Sequence, residues 1–535
     1  MANELNIGMA FSGGGYRAAT FDLGTLSFLN SIRIDDERTL LDCVSALSSV
    51  SGGTIPAMRY MLARARGEAV DKMVEELFDF LCNGDLVAHA MEGLSAEKAN
   101  RDASSIKMMA GIYDKYLFGN ATMGDIIDNF DRVPVKDYTA LATDFDNSLP
   151  FRFRLTEGRM TDGARMTYGV FGNQHHSIGR SVVRNITPGE ALACSSCFPS
   201  GFEPMMYPDD FKVSQQPELA SQIKGRFSIM DGGILDNQGI EPIRLAEERM
   251  RKYRSDSTRS DKALDFVIIS DVTNPQIDNY EPSEQIMPNS IGKLTLGRLR
   301  NYGLISEVVV MALFILALAL GNDFWLGVTS VILAIVTLLN LTGALLKNKM
   351  FKAIGKTFIG NKASFISHLK FAAAEAMLIN RAKSLIMMSG EVFLKRLRQM
   401  NYSSIYDDNA WCNRLITSTI HELSPGQTWQ SKLQSRNLFQ ELAPSEAIQQ
   451  NSAQAANMGT TLWFTTEDKA AGLPQAVFAT GQYNICYNLL VYIDNIEKNP
   501  ENTTEAHKLL IACKPQLQEA WKKFQQGPQW MVPKI

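Results

Sequence analysis

Apolar positions near the start of the chain change period twice, and each change marks an element. Residues 5 to 11 are a short apolar run that predicts a strand, Ser12-Gly13-Gly14-Gly15 breaks it, and Tyr16 to Leu26 has helical spacing. The same order returns at Leu41 to Val50, then Ser51-Gly52-Gly53, then a helix-like run from Ile55 to Ala63. Repeated strand-turn-helix units predict an α/β sheet. Residues 67 to 130 read as largely helical, with Val74, Leu77, Phe78 and Leu81 on one face and a second pattern from Met108 to Leu117, a block suited to capping a site. Further strands are expected at Tyr138 to Ala142, Phe151 to Leu155, Phe227 to Met230 and Leu264 to Ser270.

Two polar stretches, Arg251 to Lys262 and Thr273 to Ser290, punctuate the middle, and the second is the better boundary. Beyond Lys347 come a long helical pattern to about Arg398, a Gln-, Ser- and Ala-rich stretch from Ser424 to Asn457, and a last strand and helix between Thr460 and Ile496. No internal repeat is visible.

Between these boundaries the polar positions almost vanish. From Val308 to Leu346 the only charged side chain is Asp323, in a chain that is 21% charged. Phe324 to Leu346 is 23 uncharged residues, about 34 Å as a helix, against a hydrocarbon core of about 30 Å. Val308 to Leu320, 13 residues, spans only with help from its neighbours back to Tyr302. Gly321-Asn322-Asp323 supplies a turn, and Phe324 and Trp325 suit an interface. Lys293, Arg298 and Arg300 precede the pair and Lys347, Lys349, Lys352 and Lys356 follow it, while the turn has no basic residue. The positive-inside rule then puts both ends in the cytoplasm. The competing reading is a buried hairpin or an oligomer seam in a soluble chain, and 23 uncharged residues exceed ordinary core helices.

Composition narrows the class. At 535 residues, 45% hydrophobic, the chain can bury a large core. A net charge of -4 without basic runs argues against nucleic acid as a partner. Seven cysteines, odd in number and scattered, suit a reducing compartment, and the first residues lack the basic and apolar regions of a secretory signal.

Three clusters carry candidate chemistry. In Ser49-Val50-Ser51-Gly52-Gly53, only Ser51 has small residues on both sides, as a sharp strand-to-helix turn that exposes a nucleophilic hydroxyl requires; Ser48 and Ser49 meet Val50 or Leu47 at those positions. Gly13, Gly14 and Gly15, followed by Tyr16 and Arg17, offer successive backbone N–H groups at a helix start, which suits an oxyanion or a phosphate. No Gly-Lys-Ser/Thr follows and Ala18 replaces the last glycine of a dinucleotide fingerprint, which disfavours nucleotide. Met230-Asp231-Gly232-Gly233 puts a carboxylate at a strand end, as a general base or simply as a turn, with Asp271 a rival. Of six histidines, His368, His421 and His507 follow Asp231 in the order a triad needs, and none sits in a fitting segment. His175-His176 reads as a solvated pair, and Cys194-Ser195-Ser196-Cys197 lacks the second ligand pair of a zinc site; no metal or other cofactor is expected.

Taken in order, Gly13-Gly14-Gly15-Tyr16-Arg17, Ser49-Val50-Ser51-Gly52-Gly53 and Asp231-Gly232-Gly233 resemble the patatin-like phospholipase family, with supporting matches at Leu141 to Asp144 and Ala191 to Pro204. The likeness covers roughly residues 5 to 275; Ser49 and Ala18 stand where members usually carry glycine. It implies a three-layer α/β/α hydrolase core, Ser51 as nucleophile, Asp231 as base, the amides of Gly13, Gly14, Gly15 and Gly52 as oxyanion hole, and Arg17 in support. A Ser-Asp dyad needs no histidine.

The expectation is therefore a catalytic domain over 1–290, a transmembrane hairpin over 302–346, and a mainly helical part over 350–535 that either completes the catalytic domain or mediates assembly. The expected function is acyl-ester hydrolysis of glycerolipids through an acyl-enzyme, at the inner face of a bacterial cytoplasmic membrane, with membrane lipids as substrate and surroundings. A homo-oligomer through the hairpin or the C-terminal helices fits the same pattern. A tethered esterase or thioesterase acting on soluble substrates, and a membrane scaffold with a vestigial hydrolase domain, are the alternatives.

Overall fold

The computed structural model describes residues 5–84, 86, 89, 104–159, 165–199, 201–253, 263–273, 280–284, 292–350, 368, 370–499 and 503–534. Lys352, Lys356, Ser200, most of both polar stretches and the helical expectation between 90 and 103 lie outside them. The chain divides into one unit of residues 1–277 with 393–535 and a second of residues 278–392.

The first unit is built on a ten-stranded mixed sheet. Its strands are β1 (Ile7–Phe11), β2 (Val44–Val50), β3 (Asp137–Asp144), β4 (Leu149–Arg159), β5 (Arg165–Gly172), β6 (Ser177–Ile178), β7 (Met205–Tyr207), β8 (Phe227–Asp231), β9 (Phe266–Asp271) and β10 (Leu415–Thr419). The order is β10-β9-β1-β2-β3-β4-β5-β6, with β8 paired to both β3 and β7. The first five in that order are parallel, and β4, β5 and β6 continue antiparallel.

The helices used below are α1 (Gly15–Ser31), α2 (Thr54–Arg66), α3 (Pro188–Ser196), α4 (Ile240–Tyr253), α5 (Leu296–Ala319), α6 (Asp323–Met350), α7 (Leu394–Tyr406) and α8 (Leu473–Lys498). Side chains alternate across a strand, so a sheet buried on both faces separates two cores. Met9, Phe11, Leu47, Phe266, Ile268 and Ile416 join the larger core, with residues of α1, α2 and α8. Ala10, Ala46, Val267 and Ile269 join the smaller one, with Ile240, Ile243 and Ala246 of α4 and Ile405 of α7. The layering is α/β/α.

Residues 393–535 are integral to this unit. Strand β10 extends the sheet beside β9, from Leu415↔Val267 to Thr419↔Asp271. Helix α8 lies against α1 with backbones nearly touching: a Cβ on Gly24 would sit 2.1 Å from the Phe478 carbonyl oxygen, and one on Gly481 would sit 2.0 Å from that of Phe21. The strand expected near Thr460 is absent; 459–464 is irregular chain, and the last strand is instead Leu415–Thr419. The Gln-, Ser- and Ala-rich stretch forms three short helices, Trp429–Arg436, Phe439–Leu442 and Glu446–Ala456.

In the second unit, α5 and α6 form an antiparallel hairpin. Two spans in it, Arg300–Ala319 and Asp323–Leu341, are long and apolar enough to cross a membrane, and only 6% of either is buried. The first is longer than the charge-free count allowed because it takes in Arg300 and Glu307; Glu307 is partnered, accepting from Thr337 Oγ1 at 3.1 Å and from Asn340 Nδ2 at 2.8 Å. Asn340 Nδ2 also donates to the Gly303 carbonyl at 3.0 Å, a set of polar bridges that pins the register of the two helices.

Candidate active site

Ser51 stands where β2 turns into α2. Val50 is still extended (φ -136°), Ser51 is left-handed (φ 50°), and α2 begins three residues later at Thr54. Left-handed backbone at a non-glycine residue costs roughly 1–3 kcal/mol, so its surroundings must hold it there. The neighbouring serines are locked in the core: Ser48 Oγ donates to the Gly239 carbonyl at 2.6 Å, and Ser49 Oγ pairs with the Tyr138 hydroxyl at 3.0 Å. Ser51 alone is left half-exposed at the turn.

Register brings Asp231 to it. Strand β4 occupies one edge of β3 from Asp137 to Asp144. On the other edge, β2 pairs as far as Val50↔Leu141, and β8 takes over at Asp231↔Ala142. The ends of β2 and β8 therefore meet head to head, Val50 and Asp231 standing one step apart along β3, which sets the Ser51 hydroxyl close enough to the Asp231 carboxylate to favour its ionised form. Burial pushes Asp231 up from 3.8 to about 6, against the opposing pull of the Gly233 N–H, 2.6 Å from Oδ1, and of the Ser51 hydroxyl. A carboxyl so placed is ionised near neutral pH and still basic enough to take a proton.

Asp271, the rival, is differently placed. Burial raises it, but the Arg398 charge and hydrogen bonds from Thr273 and Tyr402 outweigh that and leave it below the ordinary value. It makes a poor base. His421 lies near Asp271 and Thr273, and burial lowers it. Among the described residues no histidine contributes to the environment of Asp231.

The glycine turn closes the third side. Gly14 (φ 154°) and Gly15 (φ 58°) adopt backbone that other residues resist, and a Cβ on Gly52 would lie 2.0 Å from the Gly15 carbonyl oxygen. Among the described residues no acceptor is found for the amides of Gly14, Gly15 and Gly52. Gly13 departs from the expectation: its amide donates to the Asn237 carbonyl at 2.9 Å and is spent. Its lack of a side chain serves spacing instead, since a Cβ there would lie 3.1 Å from that of Ser51.

Arg17 is buried and reaches the C-terminal part, with Nη1 on the Met458 carbonyl at 2.5 Å and Nη2 on Thr460 Oγ1 at 3.2 Å. The Tyr16 amide donates to the Thr461 carbonyl at 2.8 Å. Residues 458–461 thus form a strap over the glycine turn, a role no local motif announced. Asn237 was also missed; its side-chain oxygen fills the space where a Cβ on Gly13 or Gly233 would intrude, at 2.4 and 2.5 Å.

Among the described residues one group has the spacing of a cation site: ligand atoms of Asp144, Asp146 and His176 lie within 4.8 Å of one another. Its acceptors are already engaged, Asp144 by Asn147, Asn173 and His176, and Asp146 by the amide and hydroxyl of Ser228. His176 is not part of a solvated pair, since it stacks on Phe227 with centroids 4.5 Å apart. All seven cysteines are free thiols.

No family model and no curated protein matches the chain. Among solved structures, human GIVD cytosolic phospholipase A2 overlaps 50% of this chain and 43% of its own at 14% identity and a TM-score of 0.31. The same protein in complex with methyl gamma-linolenyl fluorophosphonate overlaps 50% and 40% at 15% identity and a TM-score of 0.30. VipD from Legionella pneumophila overlaps 100% and 94% at 11% identity and a TM-score of 0.24. The chain spans under half the length of the phospholipase structures it matches.

Proposed function

We propose that the chain is a membrane-anchored lipid acyl hydrolase of patatin-like type, cleaving acyl esters of glycerolipids with Ser51 as nucleophile and Asp231 as base. One observation carries the reading: a serine held in left-handed backbone sets its hydroxyl beside a buried, raised carboxylate, next to three glycine amides for which no acceptor is found among the described residues.

The chemistry follows from that arrangement. Asp231 takes the Ser51 proton, and the oxygen attacks the ester carbonyl carbon while the amides of Gly14, Gly15 and Gly52 hold the oxyanion. The start of α2 points its positive end at the same charge. The carbon–oxygen bond to the glycerol breaks, and Asp231 returns the proton to the leaving alkoxide. A water then gives a proton to Asp231 as its oxygen bonds the acyl carbon; the bond from that carbon to Ser51 Oγ breaks, Asp231 returns the proton to Oγ, and the fatty acid leaves.

The hairpin supports the choice of substrate. Val308, Leu320 and Phe324 are 69%, 72% and 72% exposed, a degree of apolar exposure that water does not favour and a bilayer does. With basic residues on both flanks and none in the turn, both ends of the hairpin are cytoplasmic in this reading, as is the hydrolase. A fluorophosphonate probe tests it: mass spectrometry should place the adduct on Ser51, and Ser51→Ala should lose it. An adduct elsewhere, or none, refutes the assignment.

A further inference from the structure

Ser195 touches both halves of the candidate site. It lies in the last turn of α3 and is fully buried. Its Oγ accepts the Ser51 amide at 2.9 Å, meets Thr54 Oγ1 at 3.1 Å and donates to the Leu141 carbonyl at 2.7 Å. A hydroxyl has one proton and two lone pairs. With the proton committed to Leu141, Thr54 must donate, and both lone pairs are filled, one of them by Ser51.

The backbone beside it holds the other half. Carbonyls in the last turn of a helix have no partner within it. Here the Ser195 carbonyl accepts the Gly232 amide at 3.3 Å, and two residues on the Cys197 carbonyl accepts the Asp231 amide at 3.0 Å. One helix end therefore fixes the amide of Ser51 through a side chain, and the amides of Asp231 and its neighbour through the main chain.

We propose that Ser195 is a positioning residue for acyl transfer, holding Ser51 in its left-handed conformation and setting its hydroxyl against Asp231. The inference rests on the hydrolase reading. Ser195 has no route to substrate, because every bonding position on its hydroxyl is occupied. Without that oxygen the Ser51 amide loses its acceptor, and the strained turn is free to relax toward negative φ, which would swing the hydroxyl off Asp231.

The test uses the full-length chain in detergent, with fluorophosphonate titration to count active sites and turnover of a glycerophospholipid in mixed micelles. For Ser195→Ala, kcat per titrated site should fall roughly 10- to 100-fold, the cost of an unsatisfied buried donor read as rate. KM should hold, because the substrate contacts are unaltered, while the acid limb of the pH profile should move upward, because Asp231 loses the hydroxyl that pulls it down. Ser195→Thr, which keeps the hydroxyl, should recover most of the loss. A merely structural hydroxyl would give fewer titratable sites with unchanged kcat per site, and that result overturns the inference. If Ser195→Ala does not fold, Ser195→Cys, with a weak acceptor in place of the oxygen, carries the same expectation. A wild-type chain unlabelled at Ser51 removes the hydrolase reading and this inference with it. A labelled wild type whose kcat survives Ser195→Ala removes this inference alone.

Discussion

Replacing Asp231 with asparagine should move activity and stability in opposite directions. The carboxylate is buried, and its folded value of about 6 lies above the ordinary 3.8. A raised carboxyl contributes stability that is complete below 3.8 and is lost as pH rises through about 6, so at pH 8 the ionised group opposes folding. The gap converts to ~3 kcal/mol. Asparagine carries no charge, and its side-chain oxygen can still accept the Gly233 amide, so Asp231→Asn should be the more stable protein at pH 8 by up to that amount. The advantage should shrink toward pH 4. Turnover should fall by about 10²- to 10⁴-fold, the usual worth of a general base. Thermal or urea unfolding of wild type and variant at pH 4, 6 and 8, alongside fatty-acid release at pH 8, reads both quantities. A variant less stable than wild type at pH 8, or one retaining a tenth of the activity, would refute the reasoning.

Other expectations follow from the same contacts. Glu190, which burial pushes up to about 7, should contribute stability that fades between pH 4.5 and 7, and Glu190→Gln should flatten that part of the unfolding profile. Arg17→Ala removes the bonds to Met458 and Thr460 and should cost about 2 kcal/mol, seen as faster hydrogen–deuterium exchange at 458–461. Gly481→Ala sets a methyl group 2.0 Å from the Phe21 carbonyl oxygen and should cost about 3 kcal/mol or more in thermal unfolding. Asn340→Leu breaks the bridges to Glu307 and Gly303 and should loosen the hairpin by about 1 kcal/mol, seen as weaker cross-linking between cysteines placed on α5 and α6.

The elements legible in the sequence were those whose signal is local. Strands β1 and β2 are apolar runs closed by glycine turns, and both chemical motifs sit on those turns. The apolar helices declared themselves by missing charge, although Glu307 hid part of the first, because a count of charges does not see a partner on another helix. Strand β10, Leu-Ile-Thr-Ser-Thr, has little apolar content, and it is a strand because β9 offers an edge about 150 residues earlier in the chain. The contact of α8 with α1 depends on two small residues, Gly24 and Gly481, whose pairing no periodicity reveals. At the site, Ser51 and Asp231 were readable as motifs, whereas Ser195, Asn237 and Thr461 act through long-range bonds to backbone atoms. A glycine run does not say which of its amides is already spent, so the engagement of the Gly13 amide by the Asn237 carbonyl is invisible in the sequence.

The most direct test of the account is fatty-acid release from glycerophospholipid vesicles by the purified full-length chain, compared with Ser51→Ala. Hydrolysis through Ser51 requires free fatty acid from wild type and none above background from the variant, with both proteins folded and inserted to the same extent. Equal release from the two, or release by neither while short soluble esters are turned over, would contradict it.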